Sequence, residues 1–163
     1  MEVAVYLFTG FLEAGKTSFI AETLRDPNFN DGKRKYLVVL CEEGEIELDP
    51  EEFGDNVSYG FFDEEQKLTT DRLSAMQKRA GADIVVIEYN GMWSIDTLYN
   101  ALPDNFMVYQ EIMIVDSNTA LGYNANMRQL MVDKLTGCEM VVFNRVTPDV
   151  DKMDAAAQSA CKK

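Results

Sequence analysis

Residues 10–17 read Gly10-Phe11-Leu12-Glu13-Ala14-Gly15-Lys16-Thr17 and satisfy G-x-x-x-x-G-K-[ST] at every defined position. Their flanks suit the motif. An unbroken apolar run, 3–8, precedes them, and a helical pattern, 16–25, follows. A loop between strand and helix can turn successive N–H groups inward, and the helix N-terminus adds positive potential. The stretch is therefore built to wrap a polyanion. The Lys16 ammonium would bridge the outer phosphates and the Thr17 hydroxyl would bind magnesium. Gly10, Glu13, Ala14, Gly15, Lys16, Thr17 and Ser18 form the expected cradle. Glu13 is its awkward member, because it sets a carboxylate where an anion must lie. Weaker nucleotide affinity is the expected cost.

Working outward, apolar runs at 36–41, 57–62, 84–87, 112–115 and 140–143 alternate with helical patterns at 69–79, 94–101, 119–135 and 149–161. Runs rich in Val and Ile, with little alternation, suit strands covered on both faces. Strand and helix in alternation predict an α/β fold: a three-layer P-loop NTPase, mainly parallel, with helices on both faces. In such sheets ligands gather at the C-terminal ends of the strands, and the remaining motifs fall there.

The run 84–87 ends in Glu88, followed by Tyr89-Asn90-Gly91. A carboxylate at a strand tip beside a phosphate loop is placed to hold magnesium, and Gly91 lets an N–H approach the terminal phosphate. The segment 41–52 is densely acidic, and most of it reads as a solvated loop. Glu42 and Glu45 flank Gly44 nearest the strand and are the candidates for the metal or for orienting an attacking water. Asp116, at the next strand tip, reads as mainly structural. Asn144, at the tip after 140–143, suits a residue that pins the loop and contacts a base, and the Arg145 stem suits stacking on the ring. In P-loop GTPases this strand tip carries Asn-Lys-x-Asp, and by that resemblance Thr147 stands at the position of the acid that accepts from guanine.

Composition narrows the class. The chain has 163 residues, 47% hydrophobic, enough for one domain with its own core. Its net charge of -13 disfavours a nucleic-acid groove and an anionic membrane surface. No apolar run is long enough to span a bilayer, and the N-terminus lacks a signal-peptide pattern, so a cytoplasmic address is expected. Three scattered cysteines suggest reduced thiols, and with no histidine the chemistry falls to carboxylates, Lys, Ser, Thr and a hard cation.

Together these residues resemble the CobW-like P-loop GTPases, kin of the hydrogenase and urease nickel-insertion GTPases. Residues 7–17 follow that family's T-G-F-L-G-A-G-K-T loop, with Glu13 replacing a glycine. Glu42-Glu43-Gly44-Glu45 resembles its E-x-G-E switch segment, Glu88-Tyr89-Asn90-Gly91 its E-x-x-G element, and Asn144 the start of its base motif. The resemblance implies a GTP-preferring, magnesium-dependent hydrolase that assists metal or cofactor insertion. It also raises a metalloprotein client and a homodimer as partners to test. The family's metal-carrying C-x-C-C motif has no counterpart in 61–81, which contains no cysteine, so no zinc or cobalt site is expected there. The whole chain, 1–163, is expected to be one nucleotide-binding domain lacking its last elements and a C-terminal domain. Two other readings stay open at this stage. One is a small-molecule kinase, disfavoured because the six arginines do not cluster as a lid. The other is an interaction module with a degenerate phosphate loop.

Overall fold

The computed structural model describes residues 2–42, 48–49 and 51–146. Six strands form one sheet: β1 (Val3–Thr9), β2 (Tyr36–Leu40), β3 (Val57–Phe61), β4 (Ile84–Glu88), β5 (Phe106–Asp116) and β6 (Met140–Asn144). The order is β3-β2-β4-β1-β5-β6, and every pairing is parallel. The helices are α1 (Lys16–Arg25), α2 (Thr70–Ala80), α3 (Ile95–Ala101), α4 (Ala120–Asn126) and α5 (Arg128–Gly137). The expected α/β P-loop architecture is therefore present.

The two faces follow from strand alternation. On one, Ile20, Ala21 and Leu24 of α1 pack with Phe8, Tyr36, Val38, Val86, Ile112 and Ile114. On the other, Leu73 of α2 and Leu98 of α3 pack with Val5, Leu7, Val39, Val85 and Ile87. Met113 and Val115, alternating with the residues that face α1, meet Ala120 of α4 and Met131 of α5. Both faces are covered, which is why the central runs carry so few polar residues. Among the described residues no helix is long and apolar enough to cross a membrane.

Register aligns the strand tips at one edge. Leu40 and Phe8 both sit opposite Glu88, Thr9 lies opposite Met113, and Asp116 opposite Asn144. The acids and amides picked out by position therefore face one rim.

Two elements depart from expectation. β5 begins at Phe106, six residues before the run read as a strand. Its first half, Phe106-Met107-Val108-Tyr109, is apolar but is cut off from the run 112–115 by Gln110 and Glu111; it is paired by β1 but not by β6, leaving Met107 and Tyr109 47% and 63% exposed. The pairing also skips Tyr109, a bulge that shifts register between Val5 and Tyr6. The expected helix 119–135 is two helices. At Met127 the backbone leaves the helical region (φ -131°), and the Asn126 amide donates to Gly122 O at 2.8 Å, a side-chain competitor for a helical carbonyl. The expected helix 149–161, Thr147 and Glu45 lie outside the described residues.

Candidate nucleotide site

The loop leaves β1 through Gly10, whose φ of 135° is open to few other residues. A Cβ there would stand 2.2 Å from Ile114 O on β5. Phe11 anchors the next position: it is buried and stacks face to face on Tyr123 of α4, centroids 4.0 Å apart. The exposed Glu13 sits at φ 58°, the left-handed region, where a side chain costs roughly 1–2 kcal/mol. The residue that looked wrong for its charge is thus also wrong for its backbone. Two variants separate the effects. Glu13→Ala removes the carboxylate but keeps a Cβ at the strained backbone, and Glu13→Gly removes carboxylate and strain together. Calorimetric titration with GTP is expected to show severalfold tighter binding for both. Thermal melting should separate them, with Glu13→Gly the more stable by up to about 1 kcal/mol, since lost loop entropy offsets part of the relief. Unchanged affinity in both would show that the carboxylate never meets the ligand.

Lys16 opens α1 and is 2% exposed. Its Nζ donates to Gly10 O at 3.0 Å, Phe11 O at 2.9 Å and Glu42 Oε2 at 2.5 Å. Beside it the Thr17 hydroxyl donates to Glu88 Oε1 at 2.8 Å. Glu88 is 4% exposed, and burial pushes its carboxyl above the ordinary value, against the Thr17 hydrogen bond and the Lys16 charge. A buried carboxylate beside a hydroxyl gains from a cation placed between phosphate and protein. Gly91 packs so closely on the loop that a Cβ would lie 2.5 Å from Gly10 O and 2.6 Å from Phe11 Cα. Its N–H reaches Glu42 Oε1 at 3.4 Å. Lys16, Thr17, Glu42, Glu88 and Gly91 are therefore one cluster, as their positions in sequence implied.

On the far side Asn144 Nδ2 donates to Ala14 O at 3.0 Å, tying the tip of β6 to the loop. Arg145, at φ 56°, donates through Nη1 to Glu13 O at 2.9 Å and pairs with Asp116 Oδ2 at 2.5 Å. Asp116 Oδ1 also accepts from Asn118 N at 2.8 Å. Ser18 is exposed and lines, with Gly15, Phe19, Glu22, Val142 and Asn144, a cavity of about 220 Å³ beside the loop.

Sequence reading passed over Lys134. It is wholly buried on α5, donates to Trp93 O at 3.1 Å, and its Nζ lies 5.4 Å from the Tyr89 ring centroid. It thus holds the segment that carries Gly91 from beneath. A usable signal existed, because Met127, Met131, Lys134 and Cys138 share one helical stripe and the lysine interrupts it. Burial, and then the Lys16 charge, lower its pKa to about 8 from the ordinary 10.5. The unfolded chain keeps that proton to higher pH than the folded chain. Stability should therefore rise from pH 8 to 10, by about 2 kcal/mol for this group. Above 10 the raised pKa values of Tyr59, Tyr89 and Tyr99 pull the other way. Urea melts of wild type and Lys134→Met across that range check it. The difference between their slopes should be positive, and parallel curves would refute the shift.

Fold and site define a P-loop NTPase domain. The chain belongs to the CobW/HypB/UreG family, whose nucleotide-binding domain matches residues 4–163. Among solved structures it resembles the Zn(II)-bound YjiA GTPase from E. coli, at 24% identity and TM-score 0.62, over 96% of this chain and 54% of that one. It also resembles the hydrogenase maturation factor HypB from Archaeoglobus fulgidus, at 17% identity and TM-score 0.59, over 98% of this chain and 76% of that one. The chain spans about half the length of YjiA. No curated protein matches it.

Proposed function

We propose that this domain binds a nucleoside triphosphate, GTP by preference, with magnesium, and hydrolyses it slowly as a switch that assists metal or cofactor insertion into a metalloprotein client. The observation that carries the reading is the buried Glu88 carboxyl at the rim of the sheet, which takes the Thr17 hydroxyl at 2.8 Å and feels the Lys16 charge. Loop amides 13–18 bind the inner phosphates, and Lys16 and the Gly91 N–H take the outermost one. Asn144 and Arg145 hold the loop's shape from the base side. Glu42, and Glu45 beside it in sequence, orient the attacking water.

The donor set suits magnesium. Thr17, Glu88 and Glu42 offer hard oxygens, and the described residues contain no cluster of three or more His, Cys, Asp or Glu suited to hold an ion by themselves. That fits an ion completed by phosphate and water. When bound, magnesium neutralises charge on the outer phosphates. With a cytoplasmic address, a homodimer and a metalloprotein client remain the partners to seek.

Calorimetry with GTP and ATP, with and without magnesium, and an assay of phosphate release test the reading. GTP-selective, magnesium-dependent binding with slow release is expected. ATP binding with transfer to a metabolite would make the domain a kinase. No nucleotide binding at all would leave an interaction module.

A further inference from the structure

We infer that Glu42 occupies the terminal-phosphate subsite and so sets how the domain discriminates triphosphate from diphosphate. The inference rests on the nucleotide-binding reading above. The Glu42 carboxylate accepts from two donors that come from different elements. Oε2 takes Lys16 Nζ at 2.5 Å, from the start of α1, and Oε1 takes the Gly91 N–H at 3.4 Å, from the segment after β4. These are the two groups a terminal phosphate needs: the cation that reaches the outer phosphates and a backbone donor on the opposite side. Gly91 can supply the second only because it lies directly on Gly10 and Phe11, where any Cβ would collide with backbone. A carboxylate offers two acceptor oxygens on one atom and a negative charge. It therefore satisfies, in part, the demands of a phosphoryl group.

Burial separates this contact from an ordinary surface ion pair. The Lys16 and Glu42 side chains are 1% and 7% exposed. Exposed pairs contribute little and exchange freely with water, whereas a buried one resists the loss of either partner. A diphosphate filling the inner amides leaves Glu42 in place. A triphosphate must displace it. Glu42 lies close enough to Glu88 for its charge to raise the Glu88 carboxyl, so the displaced side chain starts beside the proposed magnesium ligands. Apparent affinity for the triphosphate is then reduced by the fraction of molecules in which Glu42 is withdrawn. A contact closed nine-tenths of the time weakens triphosphate binding about tenfold and leaves diphosphate binding unaffected.

The test is calorimetric titration of the full chain in EDTA, which removes any magnesium role of Glu42. The probes are the β,γ-imido analogue of GTP and GDP. The proteins are wild type, Glu42→Gln, Glu42→Ala and, as a charge control, Glu13→Gln, each checked for folding by circular dichroism. Both Glu42 variants should bind the imido analogue about tenfold tighter, with GDP changed less than twofold. Glu13→Gln should shift both nucleotides alike. Equal gains for both nucleotides in the Glu42 variants, or a weaker imido analogue, would overturn the inference while leaving nucleotide binding intact. If wild type takes up neither nucleotide here nor with magnesium restored, the nucleotide-binding reading falls, and this inference with it.

Discussion

Lys16→Ala is expected to weaken GTP binding by about a hundredfold or more in calorimetric titration. The loss equates to roughly 3 kcal/mol, the scale of charge-assisted hydrogen bonds to phosphate in a sheltered site. Lys16 is one of the most deeply placed cations described, at 2% exposure, so little water stands in for it once it is gone. Part of its effect is structural, because its Nζ also binds the loop carbonyls of Gly10 and Phe11. Removing it leaves those acceptors short of a donor and leaves Glu42 beside Glu88 without a counter-charge. A moderate drop in melting temperature should therefore accompany the loss of binding. Lys16→Arg distinguishes the two roles. It keeps a cation for loop and Glu42 but carries a larger, planar head, so stability should largely recover while binding stays poor. Wild-type affinity in Lys16→Ala would mean that the ligand is held elsewhere.

The site was legible to the extent that it follows from spacing along one strand–loop–helix unit. Lys16, Thr17 and Ser18 follow the loop directly, and Glu88 and Asn144 end apolar runs whose parallel pairing aligns their tips. Parallel strands fix such positions in three dimensions once their order along the chain is known, because every tip lies on the same rim. What escaped depends on pairing across the fold. The first half of β5 is apolar, but Gln110 and Glu111 separate it from the run 112–115, and only the pairing with β1 shows that the two pieces are one strand. The break between α4 and α5 is a change of backbone angle at the single residue Met127, which periodicity does not register. The left-handed backbone at Glu13 explains why a glycine suits that position, yet a glutamate there carries no mark of its dihedral angle. Lys134 was hidden for the opposite reason. A single lysine in a charged chain attracts no notice unless the helical face it occupies is known to be inward.

Gly10→Ala is expected to lower stability by about 3–5 kcal/mol, the range of the severe single substitutions, and to abolish nucleotide binding. Two costs combine. The backbone at φ 135° resists any side chain. The added methyl also points at the β5 main chain, 2.2 Å from Ile114 O, 3.2 Å from its carbonyl carbon and 3.4 Å from its nitrogen. A flexible side chain could move aside, but Ile114 cannot. It belongs to a strand paired on one side to β1 and on the other to β6, and its side chain is buried against α1. Relief must come from the loop, which carries Phe11 off its stack on Tyr123 and shifts the surface on which Gly91 rests. Gly32→Ala gauges the conformational part alone. Gly32 also has positive φ, 73°, yet nothing lies within 4 Å of its Cβ position. That variant should lose only about 1–2 kcal/mol and bind nucleotide normally. For a chain of this size each kcal/mol corresponds to roughly 2–4 °C in melting temperature. Gly10→Ala should then melt about 10 °C below wild type, well below Gly32→Ala. Equal melting of the two variants would mean that the loop does not press on β5 as described. The close fit that brings Gly10, Gly91 and Lys16 into one site would then be lost as an explanation of how this sequence holds a phosphate.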